Sequence, residues 1–451
     1  MAKNHRVRLI WDKKQEQEPV PNEVFEIEYQ YIFPKLYSEQ AFPNWEPEVL
    51  PQSILTNGRL IQGNNLDVLH MLKCQDYQNK IDLIYIDPPY LSQNRYSAKI
   101  KLGENSFWQP LVFKDEGQES LDSYLNDLYI RLKLMKELLS ERGSIFVHLD
   151  WHVSHYVKIL LDEIFGVKNF INEIVWCYGG GSGSKHHFHR KHDLIFWYSR
   201  SDRYIFNPQF RPYSEGTIQR GLTKVKGSKY KLHQKGALMQ DWWTDINKIL
   251  SPTAEENLKF PTQKPRALLD RIIATASNPG SLVADFYSGS GTTAEVCEKQ
   301  GRKWIICDSS FFAITTSIQR LVKVNASPFT FECLSSSISQ QNDNLQIHLK
   351  TQIYNNKYRL LNIEILKYVP LHEVEVRKNL SLQSQIQFWE LDLDYQGNAF
   401  CSHLQIIREK IKWDDLIPIA VTVLIHYKEH GVIAVRIYDI YGDCYTKLLY
   451  Y

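Results

Sequence analysis

The stretch from Leu282 to Thr293 limits the possible folds more than any other. Leu282-Val283-Ala284-Asp285 is a short apolar run ending on a carboxylate, and Phe286-Tyr287-Ser288-Gly289-Ser290-Gly291-Thr292-Thr293 leads into a helical pattern. A strand, a glycine turn and a helix start, in that order, predict a βα unit of an open α/β sheet. Gly289 and Gly291 allow close backbone approach, and amides at the start of the next helix favour an anion such as a cofactor carboxylate. The following strand, Trp304 to Cys307, ends at Asp308, where nucleotide-binding βαβ units place a ribose-binding carboxylate. The bland alternative is that Asp308 simply caps the helix after it. The turn is not the GxGxxG of dehydrogenases, and Gly179 to Lys185 lacks the Gly-Lys-Ser/Thr ending of a phosphate loop.

A second strand-end feature lies far upstream, where the apolar run Ile81 to Ile86 stops at Asp87-Pro88-Pro89-Tyr90. Such a tetrapeptide is ordinary turn chemistry. It is also a set of groups suited to one exocyclic amine: the Asp87 carboxylate and the Pro88 carbonyl accept from an NH₂ group, and the Tyr90 ring can stack on a planar base. The two prolines stiffen the loop.

Between and around these features, apolar patterning alternates strands with helices, which predicts a doubly wound, Rossmann-like α/β domain over residues 55–330. Its expected elements are a strand Leu55 to Gln62 interrupted at Asn57-Gly58, a helix Leu66 to Lys73, and a helix Leu121 to Leu139 stopped by Gly143. Further on come a strand Ser144 to Leu149, a helix Val153 to Phe165, strands Ile171 to Cys177 and Leu194 to Tyr198, and helices Pro265 to Ser277 and Phe311 to Val324. Leu91 to Ser120, beside Tyr90, is expected to be a lid or disordered. Residues 1–54 read as an irregular extension, about 199–260 as an inserted recognition region, Ser335 to Asn344 as a linker, and 345–451 as a small β-rich C-terminal domain.

Net charge is only +2, so composition alone predicts no polyanion partner. Its distribution is more informative: between Lys185 and Lys248 thirteen Lys and Arg face five Asp and Glu, a local excess that attracts phosphate backbones or forms a solvated basic loop. These cations include Arg190, Arg211, Lys224 and Lys235. Seven scattered cysteines without a CxxC pair fit a reducing cytoplasm without structural zinc, and no apolar run is long enough to span a membrane. His186, His187, His189 and His192 invite a metal reading, but Lys185, Arg190 and Lys191 among them disfavour a cation and suit phosphates. No metal is expected.

Together, Asp87-Pro88-Pro89-Tyr90 and the later Tyr287-Ser288-Gly289-Ser290-Gly291-Thr292-Thr293 resemble the DNA amino-methyltransferases of the adenine-N6 and cytosine-N4 class. Their order in the chain is that of the beta group, and Pro261-Thr262-Gln263-Lys264-Pro265 resembles the TQKP element of that group. Similarity covers about Thr56 to Val324 and is closest in character to modification subunits of type III restriction systems. Two departures stand out: Gly63-Asn64 replaces the usual Gly-Asp, and Ser309-Ser310 replaces a frequent Leu-Gly.

The resemblance implies S-adenosylmethionine as cofactor, with Asp285, Tyr287, Gly289, Gly291 and Thr292 around its methionine part, Asp308 at its ribose and Lys264 near its carboxylate. Asp87, Pro88, Pro89 and Tyr90 would be the catalytic set. It implies double-stranded DNA as substrate, base flipping and direct in-line methyl transfer, with adenine N6 favoured because Asp stands first in the tetrapeptide. Cytosine N4, RNA, or a role as DNA-specificity subunit are the alternatives. A restriction subunit with ATP-dependent nuclease activity and a second copy of the chain are candidate partners, in a prokaryotic cytoplasm.

Overall fold

A computed structural model of the chain describes residues 8–11, 14, 27–38, 55–92, 94–97, 100–101, 107–109, 111–114, 120–180, 185–222, 232–251, 254–334, 338, 345–370, 380–397, 399–408 and 416–451. Lys224, Lys226, Lys229 and Lys231 of the basic segment, and almost all of the expected linker Ser335 to Asn344, lie outside the described residues.

The chain is organised around an 11-stranded sheet. In chain order its strands are β1 (Glu28–Ile32), β2 (Gly58–Gln62), β3 (Ile81–Ile86), β4 (Leu139–Leu149), β5 (Phe170–Cys177) and β6 (His192–Ser199). They continue with β7 (Trp242–Trp243), β8 (Leu282–Asp285), β9 (Lys303–Asp308), β10 (Phe329–Cys333) and β11 (Cys401–Ser402). Across the sheet the order is β7-β5-β6-β4-β3-β8-β9-β2-β10-β1-β11. The central six, β4-β3-β8-β9-β2-β10, are mutually parallel, and β6 and β1 run against them.

The helices are α1 (Asn65–Cys74), α2 (Leu121–Leu138), α3 (Ser154–Phe165), α4 (Glu215–Leu222), α5 (Arg266–Ala276), α6 (Thr292–Lys299) and α7 (Phe311–Lys323). Two apolar layers sandwich the sheet. Leu83, Tyr85, Phe146, Val283 and Ile306 face α5 and α7, while Ile84, Ile86, Ile145, Val147 and Ala284 face α1, α2 and α3. Burial on both faces explains why the central strands are nearly continuous apolar runs.

Several expectations are corrected. Gly58 starts β2 and does not break it: a Cβ there would overlap the Trp304 ring at 2.0 Å, so glycine lets that indole pack against the strand. Gly143 does not end a helix. The chain turns directly from α2 into β4, and Gly143 sits in the irregular register between Leu139 and Ser144, where a Cβ would lie 2.8 Å from the Ile81 carbonyl oxygen. Pro265 is the residue before α5 and not its first turn.

Residues 1–54 are not wholly irregular, because β1 pairs with β10 over Glu28 to Ile32. The region about 199–260 is not wholly an insert either. Phe210–Arg211 and Ala237–Leu238 make a separate two-stranded ladder, but β7 pairs in parallel with β5 in the main sheet. Leu91 to Ser120 is neither structureless nor one element among its described residues, since Arg95–Ser97 pairs with Leu111–Lys114 and Ile100–Lys101 with Phe107–Trp108.

Toward the C-terminus, Gln346–Ile353, Tyr358–Lys367 and Ala420–His426 form one antiparallel sheet, and Leu404–Ile407, Ile386–Asp392, Val432–Asp439 and Cys444–Tyr450 form another. This β-rich region is tied to the main sheet through β11, which pairs with β1. Buried polar groups reinforce that junction: Gln30 and Tyr438 donate to Glu390 Oε1 at 3.2 and 2.9 Å, and Ser402 donates to its Oε2 at 2.7 Å. Each buried polar group thereby has a partner, as low-dielectric surroundings demand.

Candidate functional site

The parallel strands all end along one edge, and at β3 the sheet divides: the chain continues to β4 on one side and to β8 on the other. Open α/β sheets bind ligands at such a switch point. A cavity of about 470 Å³ lies there, within the range of small-molecule and cofactor sites. Its lining brings together every residue expected to act in catalysis or cofactor binding except Gly291: Asp87, Pro88, Pro89 and Tyr90 from the end of β3, Lys264, and Asp285, Tyr287, Gly289, Thr292 and Asp308 from the ends of β8 and β9.

Gly291 lies just behind that wall as the residue before α6, with φ of +73°, a left-handed conformation that β-carbon sterics disfavour. A Cβ there would come within 2.6 Å of the Ser317 hydroxyl. Gly289 also has positive φ, +49°. Two turn amides are spent inside the turn and not on a bound anion: Gly289 donates to Asp308 Oδ2 at 2.9 Å, and Gly291 to the Ser288 carbonyl at 3.0 Å.

Asp87 has both carboxylate oxygens engaged. Tyr90 donates its hydroxyl to Oδ1, and the Lys264 ammonium pairs with Oδ2 while lying 5.6 Å from the centre of the Tyr90 ring. Lys264, expected near a cofactor carboxylate, is therefore placed against the Asp87 carboxylate.

Asp285 and Asp308 serve the backbone as well as the cavity. Asp285 accepts from the Tyr287 amide at 3.0 Å and the Thr293 hydroxyl at 2.5 Å, and Asp308 accepts from the Ser310 amide at 2.9 Å in the turn that precedes α7. Burial pushes the Asp285 carboxyl up to about 7, against the opposing pull of its two donors. Burial likewise raises Asp308 to about 6. The Tyr287 phenol is raised to about 12, again by burial.

Three groups had no local signal in the sequence. Arg320, buried on α7, donates to the Ser290 carbonyl at 2.9 Å and the Thr292 hydroxyl at 2.7 Å and pairs with Glu295 at 2.5 Å, bracing the glycine turn from behind. Arg131 of α2 reaches across the cavity floor to Asn65 at 2.6 Å and Asn64 at 3.2 Å, and Asn65 in turn donates to the Phe286 carbonyl at 3.0 Å. The Gly63-Asn64 departure is thus absorbed: Asn64 caps α1 through the Leu66 amide. The third is His148, buried at the end of β4 between Tyr85 and Asp193.

The rim continues along the same sheet edge. Trp151 and His152 follow β4, residues 178–180 and 185–191 follow β5, and Lys248 follows β7. Trp151 is half-exposed with the Arg190 guanidinium 3.8 Å from its ring centre, and Phe188 is almost fully exposed. No carboxylate occurs between Tyr178 and His192. Among the described residues no group of three or more His, Cys, Asp or Glu stands where it could hold a metal ion, and no helix is long and apolar enough to cross a membrane.

An open, centrally parallel sheet with a carboxylate-rich cavity over its switch point defines an α/β enzyme that accommodates a nucleotide-like ligand. The chain belongs to the N6/N4 DNA methylase family, whose model matches residues 81–319. It is 28% identical over 328 residues to the type II methyltransferase M.EcaI of Enterobacter cloacae, covering 59% of this chain and 70% of that protein. It is 24% identical over 356 residues to the StyLTI Mod subunit, part of a type III restriction-modification enzyme of Salmonella typhimurium, covering 59% of this chain and 54% of that one. A crystal structure of the M1.HpyAVI–SAM complex is 19% identical, covering 58% of this chain and 98% of that one at a TM-score of 0.39.

Proposed function

We propose that this DNA methylase transfers a methyl group to the N6 amine of adenine in duplex DNA, as the modification enzyme of a restriction-modification system. The observation that carries the reading is the meeting, in one cavity, of the Asp87-Pro88-Pro89-Tyr90 loop with the glycine turn at the end of β8, two segments far apart in the chain. Membership of the family and the names of its type II and type III relatives support the coarser activity and the biological setting.

S-adenosylmethionine, the cofactor of this family, would supply an electrophilic methyl group carried on a sulfonium. The residues present fit it: the cavity has the required size, and its lining sets the Gly289 backbone beside the Asp285 and Asp308 carboxylates. Asp285, Tyr287, Gly289 and Thr292 would hold its amino-acid end, Asp308 its ribose, and Lys264 its carboxylate once released from Asp87.

The amine lone pair of adenine is delocalised into the ring. An NH₂ group that donates to Asp87 and to the Pro88 carbonyl becomes more pyramidal, and the carboxylate stabilises the positive charge growing on nitrogen. Tyr90 provides a face for the base, which must leave the stack at a cost of a few kcal/mol. Asp in first position favours adenine over cytosine.

The rim supports DNA as the substrate. Its Lys185, Arg190 and Lys191, together with Trp151 and Phe188, combine phosphate-binding charge with aromatic surface beside the cavity. Asp87→Ala with labelled cofactor and duplex DNA tests the reading: transfer should fall at least about 10³-fold while cofactor binding is retained. Transfer at the wild-type rate would refute the role of Asp87.

A further inference from the structure

A line of buried polar side chains runs from the cavity wall away from Asp87. Tyr85 lies two residues before Asp87, on the same side of the strand, and lines the cavity. Its hydroxyl is 2.9 Å from His148 Nδ1, and His148 Nε2 is 3.3 Å from Asp193 Oδ2. Asp193 accepts from the Tyr178 hydroxyl at 2.8 Å, and the Lys248 ammonium stands 3.7 Å away with about 43% of its side chain exposed. His148 itself is fully buried, packed edge-on against Trp176 and 6.3 Å from the Tyr90 ring.

Burying a histidine, an aspartate and two tyrosines together is costly unless their bonds are mutually satisfied. With a neutral imidazole, one proton arrangement satisfies them. The Asp193 carboxylate accepts, so His148 Nε2 carries the hydrogen, and Nδ1 is left as an acceptor for the Tyr85 hydroxyl. Burial pushes the Asp193 carboxyl up, but the bond from His148, the positive charge that His148 carries when protonated, the charge of Lys248 and the bond from Tyr178 outweigh it and hold the group well below the usual carboxylate range.

We propose that Tyr85, His148 and Asp193 form a proton relay that takes the proton released by the methylated amine; this rests on the site being an amine methyltransferase. As the new N–C bond forms and the methyl–sulfonium bond breaks, the amine nitrogen is left with one hydrogen in excess. That proton passes to the Tyr85 oxygen while the Tyr85 proton moves to His148 Nδ1, giving an imidazolium beside the ionised Asp193. Once the product has left, His148 returns its proton by way of Tyr85 to water in the cavity, while the Lys248 ammonium beside Asp193 supports the ionised carboxylate. Asp87, already bonded to Tyr90 and Lys264, is then free to remain the amine's hydrogen-bond acceptor and does not have to take the proton. His148 is faced by Tyr85 from β3, Asp193 from β6, Trp176 from β5 and Tyr90 from the loop after β3, so the nearest charged groups are Asp193 and, beyond it, Lys248, with Asp87 and Lys264 on the cavity side.

The test uses the full chain with S-adenosylmethionine and duplex DNA, under single-turnover conditions across pH, for wild type, His148→Asn and Tyr85→Phe. Asn can still accept from Tyr85 but cannot carry the proton, and Phe removes only a hydroxyl. Both should slow transfer about 10²-fold, the usual contribution of a positioned base, with cofactor and DNA affinities unchanged. His148→Asn should also lose the limb of the pH–rate profile that follows imidazole deprotonation. Nitrogen-labelled histidine spectra of the wild type should show His148 as the Nε2–H tautomer. Wild-type rates and pH profile in both variants, or the opposite tautomer, would overturn the relay. A wild type that binds cofactor and DNA but methylates nothing would instead refute the reading of the site beneath it.

Discussion

Replacing Asp285 by Asn should flatten the dependence of stability on pH. Asp285 is almost fully buried, and burial raises its carboxyl from the ordinary 3.8 to about 7 in the folded protein. In the unfolded chain it titrates at the ordinary value. Between those two values the folded state holds a proton that the unfolded state has lost, so stability falls as pH rises through the window and the penalty is complete above about 7. Integrating that difference from about pH 5 to pH 8, at about 1.4 kcal/mol per unit, gives a loss of roughly 2–3 kcal/mol from this one group.

Asn keeps the shape and both bonds, accepting from the Tyr287 amide and donating to the Thr293 hydroxyl, and does not titrate. Urea unfolding of wild type and Asp285→Asn at several pH values should therefore diverge by that amount as pH rises, with the variant the more stable at pH 8. Asp308 and Asp439, each raised by burial to about 6, lean the same way in both proteins and cancel in the comparison. Parallel curves for the two proteins would refute a buried, protonated Asp285.

Two further outcomes follow from the same geometry. Gly291→Ala forces a side chain into a backbone angle of +73° and against Ser317, and should cost about 2–3 kcal/mol of stability and abolish cofactor binding, read by thermal unfolding and calorimetry. Arg190→Ala removes a rim cation held over Trp151, and should weaken duplex binding regardless of sequence and reduce the slope of log affinity against log salt by about one; an unchanged slope would remove Arg190 from the DNA surface.

The site was more legible than the scaffold around it. Ile81–Ile86 and Leu282–Asp285 are apolar runs that end on turn residues, and their strand ends follow from local pattern alone. The two loops are paired in the sequence by their resemblance to the DNA amino-methyltransferases, and the switch point brings their strand ends together whatever their separation along the chain. Long-range packing was not legible in the same way. Gly58 looks like a strand breaker until Trp304, from β9, is seen against it, and Gly143 looks like a helix stop until the Ile81 carbonyl is placed beside it. Glu28–Ile32 has a strand's composition, but its partner, β10, lies some three hundred residues away. Arg131, His148 and Arg320 act through partners on other elements, so neither spacing nor motif marks them. Within the site, no motif announces that Lys264 pairs with Asp87 or that Asp308 accepts from the Ser310 and Gly289 amides.

The most direct measurement is mass analysis of the nucleosides from duplex DNA incubated with this protein and S-adenosylmethionine. N6-methyladenine is the expected product, formed at a limited set of sequence sites. N4-methylcytosine in its place would contradict the reading of Asp87, and unmodified DNA, with cofactor and duplex both bound, would contradict the methyl-transfer reading of the site altogether.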